Sequence, residues 1–97
     1  MVRAAYEAGV PIYVGTDAGG GIRHGLVAEE MLILHEAGLP AADVLAAASW
    51  RARAWLGLPG LVEGGLADLV VYPEDPRRTL AVTRHPRRIV LRGQVIR

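Results

Sequence analysis

Apolar and polar positions follow one another in two rhythms along this chain, and the rhythm changes near residue 57. Residues 2–8 read as the end of a helix, with Gly9 placed to stop it. Val10 to Gly15 then form an unbroken apolar run apart from Tyr13, and residues 11–15 are predicted to be a strand buried on both faces. Glycines crowd the segment from Ala18 to Gly25, which reads as a loop unable to hold itself rigid. Helical spacing returns from about Leu26 to Ala37, where Val27, Met31 and Leu34 share a stripe and Gly38 follows. Pro40 suits an early helical position, and Val44, Ala48, Ala52 and Trp55 continue one stripe down to Gly57. Asp43 near the start and Arg51 and Arg53 near the end of that helix match its dipole.

Beyond Gly57 the pattern becomes strand-like. Pro59-Gly60 and Gly64-Gly65 mark turns, and Leu66 to Tyr72 reads as a strand. Residues 73–86 read as irregular, and Arg88 to Leu91 and Gln94 to Arg97 as two short strands around Arg92-Gly93. The order is helix, buried strand, two helices and a β-rich tail. A strand buried on both faces needs parallel neighbours, and nothing between it and the next helices supplies one.

Composition narrows the chemistry. Ninety-seven residues bound the chain to one domain, and an apolar share of 52% with 22% charged residues places it among globular chains. A net charge of +1 gives no global pull toward nucleic acid or membrane. No cysteine is present, which removes disulfides and thiolate zinc sites, and all 11 basic residues are arginine. The first residues lead into no apolar core segment, so no signal peptide is read there, and a cytoplasmic location is expected. Arg84, Arg87, Arg88, Arg92 and Arg97 bias the tail toward positive charge, but no aromatic platform accompanies them, and a solvated edge is expected.

The chemistry concentrates where the apolar run ends, at Gly15-Thr16-Asp17-Ala18-Gly19-Gly20-Gly21. A carboxylate at a strand tip beside a glycine loop can ligate a divalent metal and take a proton from an attacking water. The same aspartate could equally cap its own loop as an Asx turn, and spacing does not choose between the two. Nucleotide binding fails on detail: a dinucleotide fingerprint begun at Gly19 and Gly21 would end on His24 instead of glycine, and no lysine is present for a phosphate loop.

Gly15-Thr16-Asp17-Ala18-Gly19, His24-Gly25 and Glu29-Glu30 resemble the last barrel strand and following loop of the metal-dependent amidohydrolases. The subgroup is the imidazolonepropionase-like and Xaa-Pro dipeptidase-like enzymes. Similarity continues in order through Ala37-Gly38-Leu39-Pro40, Ala46 to Arg53, Leu56-Gly57-Leu58, Glu63 to Tyr72 and Val90 to Val95. The resemblance implies an α/β fold: the last strand–helix unit of a TIM barrel, followed by C-terminal strands of an appended β-sandwich, with the barrel incomplete. Residues 1–57 would belong to the barrel and 58–97 to the sandwich.

By that resemblance Asp17 is a metal ligand and the catalytic general base. His24 would bind substrate at the barrel mouth, although a plain exposed loop histidine fits it as well. Glu29 would anchor the loop or simply be solvated, and Asp68 would hold a turn. Trp50 and Trp55 read as packing residues, and His35 and His85 as surface residues. The complete enzyme would use a divalent metal, zinc by expectation, on a small-molecule amide or dipeptide. Its class is expected to be a hydrolase of carbon–nitrogen bonds outside the peptidase and dipeptidase-like group. The family's His-x-His pair, its lysine and its later strand-end histidines have no match here, so the isolated chain is expected to be inactive, with a metal-free chain as one outcome. It would need the remainder of the barrel or another copy of itself. The alternative is a non-catalytic, self-associating or interaction module derived from a barrel fragment.

Overall fold

The computed structural model describes residues 1–19, 21 and 24–97. Four helices come first: α1 Val2–Glu7, α2 Val27–Glu36, α3 Ala41–Ala48 and α4 Trp50–Trp55. Strand β1 Leu69–Val71, a 3-10 helix at Leu80–Arg84, and strands β2 Arg88–Leu91 and β3 Gln94–Val95 complete the order. The stops read from glycine are present, since Gly9 and Gly38 take φ of 82° and 113°, where a side chain would be strained.

The core lies between helices. Met31 and Leu34 of α2, Leu39 of the connection, Val44 and Leu45 of α3 and Leu80 of the 3-10 helix form one buried cluster. Val44 is fully buried and Leu39 nearly so. Each such side chain contributes roughly 1.5–3 kcal/mol over its exposed state. The 3-10 helix was not legible as such, because residues 73–86 carry no helical period. It forms because Leu80, Val82 and Thr83 are buried against α2, and the Thr83 hydroxyl donates back to the Leu80 carbonyl at 2.8 Å.

Two expectations are corrected. Residues 11–15 form no strand; Val14 donates its N–H to the Ala47 carbonyl at 3.1 Å instead of joining a ladder. Ile12 and Val14 pack on the core cluster, and Tyr13 stacks on Trp55 with ring centroids 4.8 Å apart. The alternation of an extended chain is therefore kept while the pairing partners are not supplied. The long helix expected from Pro40 to Trp55 breaks at Ser49, whose φ and ψ are −137° and −95°. Its hydroxyl donates to the Leu45 carbonyl and its N–H to Ala46, competing with a continued helical ladder. The break also removes Trp55 from the aliphatic stripe, leaving it 67% exposed.

The tail builds a three-stranded antiparallel sheet in the order β1-β2-β3. Leu69 pairs with Val90, and Val90 with Val95. The expected strands at 66–72 and 94–97 shorten to three and two residues. Arg92 and Gly93 turn the hairpin with φ of 49° and 79°, the positive pair that a tight right-twisted hairpin requires. Asp68 holds this turn, as expected of it: one carboxylate oxygen accepts the Arg92 N–H at 2.8 Å. The other lies 3.5 Å from the Arg53 guanidinium, so a single side chain joins α4 to the sheet.

Candidate functional site

Asp17 sits at the end of the extended segment that Ile12, Val14 and the Val14–Ala47 hydrogen bond fasten to the core. Its side chain is exposed and its φ is 57°. Aspartate visits this left-handed region at a cost, usually offset by a local side-chain hydrogen bond. Among the described residues its carboxylate makes none, so an Asx turn does not account for the conformation. An exposed aspartate at positive φ with no such bond among the described residues is a backbone outlier of the kind that clusters at functional sites.

His24 lies beyond the loop, exposed, one residue before Gly25 and three before the start of α2. Among the described residues it shares no hydrogen bond or ion pair with Asp17. Gly20, Ile22 and Arg23, part of the loop expected between them, lie outside the described residues. No group of three or more histidine, cysteine, aspartate or glutamate side chains that could hold a metal occurs among the described residues. One carboxylate does not fit a closed metal centre, which needs three or four donors. The described residues thus do not by themselves fit the metal that the resemblance implies.

Elsewhere among the described residues lie interactions that sequence did not disclose. Glu29, in the first turn of α2, receives both arms of Arg84: Nε to Oε1 at 2.9 Å and Nη2 to Oε2 at 2.7 Å. That contact raises the pKa of the Arg84 guanidinium above its ordinary value. Arg84 is therefore not part of a solvated basic edge, and Glu29 is not simply solvated. Tyr6 donates to Asp43, which also pairs with Arg51 at 3.2 Å. The Tyr6 hydroxyl is held above its ordinary pKa, first by that hydrogen bond and then by burial. The partners are 37 and 55 residues apart in the two cases, and no local spacing signals them. His35 and His85 are exposed, as expected, and His35 Nδ1 lies 2.8 Å from the Leu39 carbonyl.

Two cavities among the described residues lie away from Asp17 and His24. One of 230 Å³ sits between α1 and α3 against Tyr6, Asp43 and Arg51. A cleft of 760 Å³ separates the helices from β1, with Met31, Leu45, Trp50, Leu69 and Tyr72 along it. Burial there raises the Tyr72 hydroxyl pKa.

Comparison with known proteins gives these features a context. Residues 1–96 match the amidohydrolase family. Uncharacterized proteins of Mycobacterium bovis and Mycobacterium tuberculosis are 50% identical over 93 residues, which is 96% of this chain and 25% of theirs. A solved Xaa-Pro dipeptidase with methionine bound in its active site is 30% identical with a TM-score of 0.85, covering 97% of this chain and 24% of that one. A candidate prolidase from Bifidobacterium longum is 33% identical with a TM-score of 0.87, covering 98% and 25%. This chain thus spans about a quarter of the length of the relatives it matches. Both solved neighbours carry dipeptidase or prolidase names, which lends nothing to the narrower expectation of a class outside the dipeptidase-like group. No helix among the described residues is long and apolar enough to cross a membrane. With a family match from end to end and two solved structures of the same shape, this chain belongs to the amidohydrolase family.

Proposed function

We propose that this chain is the C-terminal portion of a metal-dependent amidohydrolase that hydrolyses a carbon–nitrogen bond in a cyclic amide or a dipeptide. In this reading residues 1–57 close a barrel, residues 58–97 supply strands of an appended sandwich, and the enzyme works in the cytoplasm. The observation that carries it is Asp17. It is an exposed carboxylate held at positive φ, with no hydrogen bond among the described residues, at the position where the family resemblance calls for an acid. The dipeptidase and prolidase names of the solved neighbours favour a dipeptide over a cyclic amide.

Asp17 accepts a proton from the attacking water, whose oxygen forms a bond to the carbonyl carbon. The carbon–nitrogen bond then breaks, and the proton passes to the departing nitrogen. His24 lies on the far side of the loop and orients the substrate. A divalent metal, zinc by expectation, would need donors beyond Asp17 and would supply a polarised water when bound. The chain alone is inert in this reading and works with the rest of a barrel.

The test joins this chain to the remaining three-quarters of the solved dipeptidase in place of the matching segment, and follows hydrolysis of Xaa-Pro dipeptides and cyclic amides. Turnover is expected from the joined protein, with Asp17→Asn lowering kcat by roughly 10²–10⁴, the usual contribution of a general base. A folded, active chimera indifferent to Asp17→Asn would refute the role. Exposed Trp55, Leu61 and Leu66 favour a second reading, a self-associating module without catalysis. Under that reading the isolated chain would have a stable oligomeric mass and the chimera would gain no activity.

A further inference from the structure

We propose that Arg84 is a positioning residue, which grips the first turn of α2 through Glu29 and so sets where His24 stands relative to Asp17. Among the described residues, no side chain caps the start of α2, whose N-cap is Leu26, which has no side-chain oxygen. The first backbone hydrogen bond there is from Glu30 N–H to the Leu26 carbonyl, 3.0 Å long. His24 precedes this uncapped turn by only three residues, with Gly25 between at φ 87°.

Arg84 is well placed to restrain this turn. It ends the 3-10 helix, whose Leu80 belongs to the core cluster and whose Val82 and Thr83 are buried. A guanidinium fork on a carboxylate fixes direction as well as distance, and both arms are made here, at 2.9 and 2.7 Å. The carboxylate it grips stands at the third position of α2, where negative charge also suits the helix dipole. The pair is half-exposed, at 46% and 43%, so its effect on global stability is small while its effect on local geometry is not. Extended anchoring of Asp17 through Val14 on one side and this grip on the other hold the two ends of one loop.

Amide hydrogen exchange on the 97-residue chain tests this. In Arg84→Gln, exchange at Glu30 and Met31 is expected to rise about three-fold, the equivalent of one exposed ion pair, with Val44 to Ala48 of α3 unchanged. The His24 ring resonances are expected to shift in Arg84→Gln and to return part of the way in Arg84→Lys, which restores charge without the fork. Unchanged exchange at Glu30 and Met31 would overturn the proposal, and so would an equal rise throughout α3 or a Lys variant identical to Gln. The importance of His24 rests on the function proposed above, but these measurements do not. If His24→Ala leaves turnover of the chimera intact while exchange behaves as expected, the substrate role fails and the positioning stands.

Discussion

Replacing Asp68 by alanine removes the one side chain that joins α4, the hairpin turn and, through Arg53, the Pro59 carbonyl. Its two oxygens are committed to different partners, Arg92 N–H at 2.8 Å and the Arg53 guanidinium at 3.5 Å. Arg53 in turn donates Nε to Pro59 at 2.7 Å. The Asp68 and Arg53 side chains are only 20% and 25% exposed, so water replaces these contacts poorly. A hydrogen bond to a charged acceptor is worth about 1.5–3 kcal/mol, and an ion pair at this separation and exposure about 0.5–1 kcal/mol. Overlap between the two brings the expected loss for Asp68→Ala to about 2–3 kcal/mol. For a domain of this size each kcal/mol moves Tm by roughly 4–8 °C, so the midpoint should fall by roughly 10–20 °C. Asp68→Asn keeps an acceptor for Arg92 and loses only charge, and should fall by roughly 4–8 °C for about 1 kcal/mol. Thermal and urea unfolding followed by circular dichroism measure both. Equal losses for alanine and asparagine would refute the division of labour between the two oxygens. A loss under about 0.5 kcal/mol for alanine would refute the joint itself.

Two further outcomes follow from local geometry. The Arg77 guanidinium and backbone N–H hold the Asp75 carboxyl down to about 2 from its usual 3.8. A folded pKa below the unfolded one stabilises the chain above pH 4, and that contribution disappears as pH falls through 2. Carboxyl NMR titration should find the low midpoint, and Arg77→Gln should move it up toward the ordinary value; an unmoved midpoint would contradict the pairing. At Gly38, φ is 113° and an added methyl would lie 2.7 Å from Arg3 Cδ. Gly38→Ala should lower the urea-derived stability by about 1–2 kcal/mol, and the Arg3→Ala background should recover little because the backbone strain remains. Full recovery in that background would show crowding alone to be responsible.

What the sequence disclosed was local. Gly9 and Gly38 end helices because only they tolerate the left-handed turns found there, and Arg92-Gly93 makes a hairpin because both residues enter positive φ. Asp68 was legible as a turn holder only through the family resemblance, and the Arg92 N–H on its carboxylate agrees with it. The break at Ser49 was not, since alanines on either side favour helix and the competing hydroxyl bond to Leu45 is a three-dimensional fact. Residues 11–15 are neither a strand nor buried on both faces: Pro11 and Gly15 are exposed and Ile12 to Val14 only half-buried, because an apolar run does not say what a segment packs on or pairs with. Trp55 misled for a related reason: its spacing fits a stripe that the helix break rotates away, and it stacks on Tyr13 instead. At the site, Asp17 could be singled out from the chain, but its positive φ could not. The Glu29–Arg84 pair spans 55 residues and had no signal at all.

The most direct test of the central claim is the zinc content of the purified chain after loading and exhaustive dialysis, read beside its mass in solution. If Asp17 is one donor of a site completed by residues beyond this chain, the monomer should retain well under one-tenth of an equivalent of zinc, roughly what a lone carboxylate can hold. One zinc per monomer, retained equally by Asp17→Asn, would contradict the account.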